Sequence, residues 1–179
     1  MNKIKNKNTM IPFSAIRVES LKDYIGVLSD DELMDLGNKI YMTIDFVKAD
    51  YPNHTKWYFT KQLPETLHSD RRNILFVKDK GEIIGVVNLL NNDEEKKICS
   101  LYVKEEYRGQ GIGSMLVEEA MKWLGTRYPI ISLVEGRYGI YKPLLEKYNW
   151  KLTRVIDGYY KEGVVELFFN VPENNTIYR

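Results

Sequence analysis

The run SLYVKEEYRGQGIGSMLVEEAMKWL, Ser100 to Leu124, confines this chain more than any other stretch. It begins in a β-branched and aromatic segment, KICSLYV (97–103), and crosses a short charged turn. Three glycines then fall within five positions, Gly109, Gly111 and Gly113. An amphipathic stretch comes directly after. Ile112, Leu116, Ala120 and Leu124 recur at helical spacing with Met115 and Trp123 beside them, while Glu118, Glu119 and Lys122 take the other side. Gly125 stands where a C′ glycine stops a helix. PIISLV (129–134) then reads as a buried strand. Strand, helix and strand make a parallel, right-handed β-α-β unit, which commits the chain to a sheet with helices packed on it.

Glycine loses entropy on folding and packs nothing, so three of them ahead of a helix call for a reason. One is an anion cradle: amides at a helix start lack intrahelical partners and sit at the positive end of the dipole. Glycines remove the Cβ atoms that would hold a phosphate away and permit the positive φ of an anion-binding nest. Arg108 and Ser114 add a charge and a hydroxyl. The other is a tight strand-to-helix turn with close helix–sheet packing. The spacing is neither the dinucleotide fingerprint nor the P-loop.

Around this unit the chain reads as one domain, 13–171, with a basic leader at 1–12 and a loose tail at 172–179. AIRVES (15–20) is a first strand. A helix begins at Ser29 or Asp30, with Leu33, Leu36, Ile40, Ile44 and Val47 on one face. A second runs from about Thr55 to Leu67, with Pro64 near its end. NILFV, EIIGVVNLL and KICSLYV form a three-strand antiparallel meander, its first turn passing through Gly81. A short helix holds Pro143 to Tyr148, and KLTRVID and VVELFFNV close the chain as a hairpin. The fold class is α/β of the α+β kind, a mixed and mostly antiparallel sheet flanked by helices.

Hydrophobic residues make up 44% of the 179, enough for a real core. A net charge of +1 produces no global field for a polyanion, and no nucleic-acid partner is expected. No apolar run is long enough to span a bilayer, so no membrane partner is expected and the expected location is the cytoplasm. Cys99 is the sole cysteine, and with only His54 and His68 besides no metal site is expected.

The segment Arg108-Gly109-Gln110-Gly111-Ile112-Gly113 resembles the R/Q-x-x-G-x-G/A motif of the GNAT family of N-acetyltransferases. The longer run 100–124 resembles that family's strand–turn–helix signature, and the order of elements from Ala15 to Val171 also fits. The resemblance implies acetyl-CoA as cosubstrate. Its pyrophosphate would rest on the amides of Arg108, Gly109, Gln110, Gly111, Ile112, Gly113 and Ser114. Its pantetheine arm would run along Leu101, Tyr102 and Val103, in a wedge where KICSLYV and PIISLV splay apart. The acceptor would be a primary amine on a small molecule or peptide, attacked directly without a covalent enzyme intermediate.

Such a transfer needs a neutral amine, a donor for the thioester oxygen, for which the Val103 N–H serves, and an acid for the leaving thiolate. Family members often carry the acid as the tyrosine of a Y-E-K-x-G-F segment. Here the segment reads Leu145-Glu146-Lys147-Tyr148-Asn149-Trp150, with leucine at the acid's place. Tyr141, four residues earlier, shares a face with Leu145 if the helix already includes it, although Pro143 favours a later start. Glu135, just past PIISLV, is the candidate base or else a solvated loop acid. Glu94 and Glu95 read as surface residues. Cys99 reads as a buried spectator, and His54 and His68 as exposed helix ends or as substrate contacts. Trp57, Tyr58 and Phe59 line the acceptor site or pack on the sheet. The missing acid leaves a second class open, an acyl-CoA-binding sensor without catalysis. A third is an interaction protein whose glycine turn is structural. Pairing of final hairpins would allow a homodimer.

Overall fold

The computed structural model describes residues 16–176. The expected leader, Ala15 of the first strand and the last three residues of the tail lie outside them. A seven-stranded sheet carries the fold, in the order β1-β2-β3-β4-β5-β7-β6. The strands are β1 Val18–Ser20, β2 Arg72–Asp79, β3 Glu82–Asn91, β4 Lys96–Val103, β5 Ile130–Val134, β6 Leu152–Asp157 and β7 Val165–Phe169. Every neighbouring pair is antiparallel except β4 and β5, which are parallel.

Among the described residues five α-helices cover the sheet: α1 Asp30–Ile44, α2 His54–Trp57, α3 Leu63–His68, α4 Ile112–Leu124 and α5 Tyr138–Lys147. Helix α1 begins in a capping box, the Ser29 hydroxyl accepting from the Glu32 amide while the Glu32 carboxylate accepts from Ser29 N–H. Helices α2 and α3 are one helical segment, 54–68, interrupted by the π-helical turn Tyr58–Gln62. The interruption has a local cause. Pro64 has no N–H for the carbonyl four residues back, and a wider turn lets later amides take up the slack.

Alternation along the central strands makes two cores. Leu75, Val77, Val87 and Leu89 face α4 and α5, whereas Ile74, Phe76, Ile83 and Val86 face α1 to α3. Gly85 lets α4 settle close to β3: a Cβ there would lie 3.0 Å from Leu116 Cδ1 and 3.2 Å from Ile112 Cγ2. That contact fixes the height at which the start of α4 stands above the sheet edge. Gly125 stops the helix at φ +63°.

One irregularity opens the sheet. Pairing between β3 and β4 slips between Asn88–Ser100 and Leu89–Ile98, so Cys99 is an extra residue, the β-bulge of β4. Pairing between β4 and β5 comprises only Lys97–Ile130 and Ile98–Ile131. The strands part at the bulge.

The placement of α4 rests on Leu116, fully buried in the larger core. Leu116→Ala is expected to lower the unfolding free energy by about 2–5 kcal/mol, read from urea denaturation.

Candidate active site

Beyond Ile98 and Ile131 the parted strands leave a gap, and a cavity of about 720 Å³ occupies it. Residues from both cores line it, so it passes through the sheet. At one end stand Arg108, Gly109, Gly111, Gly113 and Ser114; the walls are 99–103 of β4 and 131–134 of β5. Ile140, Tyr141 and Leu144 of α5 lie over the gap; Tyr51, His54 and Trp57 line it from the other helical layer, and Phe46 packs on Tyr102 at 4.6 Å.

The glycine end arises from local backbone chemistry. Gly109 and Gly111 take φ +73° and +88°, which L side chains rarely adopt. A Cβ at Gly109 would meet nothing within 4 Å, so that position is open rather than packed. Gly113 fits the packing reading better: a Cβ there would touch Leu144 at 3.4 Å and Val103 at 3.8 Å. No side chain caps α4, and among the described residues the loop's backbone bonds leave the amides from Gly109 to Ser114 without a protein acceptor. Arg108 is different. Its amide donates to the Glu105 carbonyl (3.1 Å), so the bare donors begin one residue later than expected. Its guanidinium turns back to the Val103 carbonyl, Nε to O 3.0 Å.

Along β4 the ladder decides which backbone groups are free. Lys104 N–H bonds the Ile84 carbonyl at 2.9 Å. Gly85–Val103 is therefore a wide pair, and Val103 turns its own N–H and C=O away from β3, into the gap. Leu101 lies two residues back and does the same.

A tyrosine hydroxyl reaches each wall. Tyr141 Oη donates to the Leu101 carbonyl at 2.5 Å, and Tyr51 Oη accepts from Val134 N–H at 3.2 Å. Helix α5 begins at Tyr138, ahead of Pro143, so Tyr141 is helical and shares a face with the buried Leu145. The carbonyl that loses its donor to Pro143 is that of Gly139, an exposed residue, so the proline costs the helix less there than in a buried turn. Burial pushes the Tyr141 phenol up to about 12. Asn149 holds φ +55°, the left-handed turn that glycine would otherwise supply.

The family model of the acetyltransferase (GNAT) family matches residues 37–136, more than half of the chain. The chain belongs to the GNAT acetyltransferase family. It is 38% identical over 69 residues to an N-alpha-acetyltransferase of Saccharolobus solfataricus, a match covering 37% of this chain and 41% of that protein. The chain thus spans less than half the length of that curated relative. A crystal structure from Desulfovibrio desulfuricans, assigned to the GNAT acetyltransferases, shares the fold at TM-score 0.61 and 12% identity over 86% of this chain and 96% of its own. A Bacillus anthracis protein assigned as a streptothricin acetyltransferase, solved in complex with acetyl coenzyme A, aligns at TM-score 0.51 and 18% identity over 60% of this chain and 67% of its own.

In this GNAT chain the cavity gathers most of the residues expected from sequence: Leu101, Tyr102, Val103, Arg108, Gly109, Gly111, Gly113, Ser114 and Tyr141 all line it. Three do not. The Gln110 side chain folds back on the Glu106 carbonyl at 3.0 Å. Ile112 buries its side chain in the core, leaving only its amide for the loop. Glu135 is exposed in the one-turn 3₁₀ helix Glu135–Arg137 and lies outside the lining, because that turn carries its carboxylate to solvent.

Other residues sit differently from expectation as well. Cys99 is a half-buried cavity residue at the bulge rather than a buried spectator; burial pushes its thiol up, the opposite of what a nucleophile needs. Glu95 lines the cavity, while Glu94 stays exposed. Trp57 lines it too, but Tyr58 is fully buried with its hydroxyl on the Gly37 carbonyl (2.9 Å), and Phe59 packs on Tyr41 at 4.8 Å. His68 is exposed. His54 is not: only 7% of it is accessible, neither ring nitrogen has a hydrogen-bond partner among the described residues, and burial lowers its pKa to about 4. A neutral imidazole in the cavity wall offers one donor and one acceptor.

Gly111→Val would put a β-branched side chain at φ +88°, between the bare amides and whatever they bind. The folded variant, checked by circular dichroism, is expected to bind acetyl-CoA at least about tenfold more weakly by calorimetry, a loss of about 1.4 kcal/mol. Unchanged affinity in a folded variant would remove the anion cradle.

Proposed function

We propose that this chain moves an acetyl group from acetyl-CoA to a primary amine on a small molecule or peptide, by direct transfer. The observation that carries the reading is one continuous cavity, running from the bare amides at Gly109–Ser114, through the gap beside Leu101 and Val103, to the wall at Tyr51, His54 and Trp57. In this reading the loop amides take the pyrophosphate, convergent donors at the positive end of α4. The peptide-like pantetheine arm then lies along the wedge-facing backbone of β4, accepting from the Leu101 N–H, since the Leu101 and Val103 carbonyls accept from Tyr141 and Arg108. The acceptor comes from the far end.

In this reading the chemistry follows from where the groups lie. The amine nitrogen attacks the thioester carbonyl carbon, whose oxygen gains charge and accepts from the Val103 N–H. The C–S bond breaks and the CoA thiolate accepts a hydrogen bond from Tyr141. A phenol is protonated at neutral pH and burial raises this one further; its proton rests on the Leu101 carbonyl and turns to the sulfur as the thiolate forms. The leucine at position 145 therefore does not leave the site without a hydroxyl: Tyr141 supplies one from the preceding turn of the same helix face. Glu135 takes no proton in this scheme, because it faces solvent. His54 and Trp57 border the acceptor, the imidazole giving it a polar contact that the protein itself does not use.

Release of CoA, tracked with a thiol reagent across a panel of amines, tests the reading. Turnover with at least one amine is expected. Tyr141→Phe is expected to lower kcat by about 100-fold with little change in the KM for acetyl-CoA. Acetyl-CoA binding without release for any amine would favour the sensor instead.

A further inference from the structure

We propose that Tyr51 and Glu166 together accept the proton that the attacking amine must lose. The proposal deepens the acetyltransferase reading and rests on it. Glu166 lies on β7 opposite Val134 of β5, beyond the point where β4 has turned away. It is 1% accessible and lies outside the cavity lining, so no substrate reaches it directly. Tyr51 does line the cavity and bridges the two. Its hydroxyl donates to Glu166, 3.0 Å to Oε1 and 3.3 Å to Oε2, and accepts from Val134 N–H at 3.2 Å. That polarity is set: the phenolic proton already points at the carboxylate, and the oxygen's remaining lone pair is open to a donor in the cavity.

The step balances. The amine nitrogen forms its bond to the carbonyl carbon and passes a proton to Tyr51 Oη. Tyr51 passes its own proton to Glu166, which becomes a carboxylic acid, while the thiolate leaves toward Tyr141. Afterwards the carboxylic acid returns the proton through Tyr51 to water. Tyr51 is a relay and not the base, since burial and the neighbouring carboxylate push its phenol far above the usual range. The terminal acceptor suits the task. Burial first of all raises the Glu166 carboxyl to about 7, close to the working pH. The groups facing it come from four elements. Ser132 of β5 and Tyr51 donate to it, Lys97 of β4 favours its charged form, Asp50 opposes it, and Tyr159 and Tyr160 stand beside the pair.

A hydrogen bond kept only for structure would survive Glu166→Gln, because the amide oxygen still accepts from Tyr51. A proton acceptor would not, and that difference is the test. CoA release is measured from pH 5.5 to about 9 with peptides bearing a free N-terminal alanine, serine or methionine, a lysine peptide, a polyamine and an amino sugar. For any amine the wild type acetylates, Glu166→Gln is expected to lower kcat/KM by about 100-fold and to abolish the acid limb centred close to pH 7. Tyr51→Phe is expected to fall similarly. Both should bind acetyl-CoA as the wild type does.

Stability provides a fold check with a definite sign. The folded pKa lies above the unfolded one, so Glu166 favours folding most below about 4.5 and loses that contribution as pH rises toward 7. Glu166→Gln should melt no lower than the wild type at about pH 8. Wild-type kcat/KM and an unchanged acid limb in Glu166→Gln overturn the proposal. If that variant does not fold, a Tyr51→Phe variant as active as the wild type overturns it. No release from the wild type with any amine overturns the transferase reading, and this pair with it.

Discussion

The departure of β4 from β5 at Cys99 is the event on which the site depends. A sheet stays closed because each backbone N–H and C=O finds a partner on the next strand. Here the ladder stops after Ile98–Ile131, where the extra residue in β4 bends that strand. Neither strand frays, because β3 holds one flank of β4 and β7 holds the far flank of β5. What is left is a gap with rigid walls and unsatisfied edges. Such edges are costly in a dry interior, and two tyrosine hydroxyls lie against them, on the Leu101 carbonyl and the Val134 amide.

Those two tyrosines give the gap a direction. Tyr141 comes down from α5 on the side of the glycine loop; Tyr51 comes from the segment between α1 and α2, on the side of His54 and Trp57. The first donates to the Leu101 carbonyl and the second is backed by a buried carboxylate. The sheet separates the two helical layers everywhere else, so the gap is where chemistry held by one layer meets chemistry held by the other. His54 adds to that end of the cavity a buried ring whose nitrogens have no hydrogen-bond partner among the described residues.

The sequence made different parts of the molecule legible to different degrees. Strand and helix periodicity located every strand and the long helices, because a face of Leu116, Ala120 and Leu124 or the pattern of NILFV repeats within a short stretch of chain. Capping at Ser29 and the turn at Gly81 were readable for the same reason. Proline misled in part. Pro143 sits inside α5, and the carbonyl that it deprives of a donor belongs to exposed Gly139, a circumstance invisible in the spelling of the segment. Glu135 was chosen for its place in the chain, next to the end of β5, and the 3₁₀ turn there carries it outward. Glu166 carried no local signal at all. It reads as one polar residue in a hydrophobic final strand, and its partner Tyr51 lies 115 positions away.

By itself the sequence determined the β-α-β unit, the glycine entrance to α4 and membership of a family, since each depends on residues within a turn or two of one another. Tertiary structure decided which side chains meet in the gap, and how wide the gap opens. The reason is geometric: strands β4, β5 and β7 become neighbours only when the sheet is assembled. Burial, which raises Glu166 and lowers His54 in pKa, exists only after that assembly has excluded water.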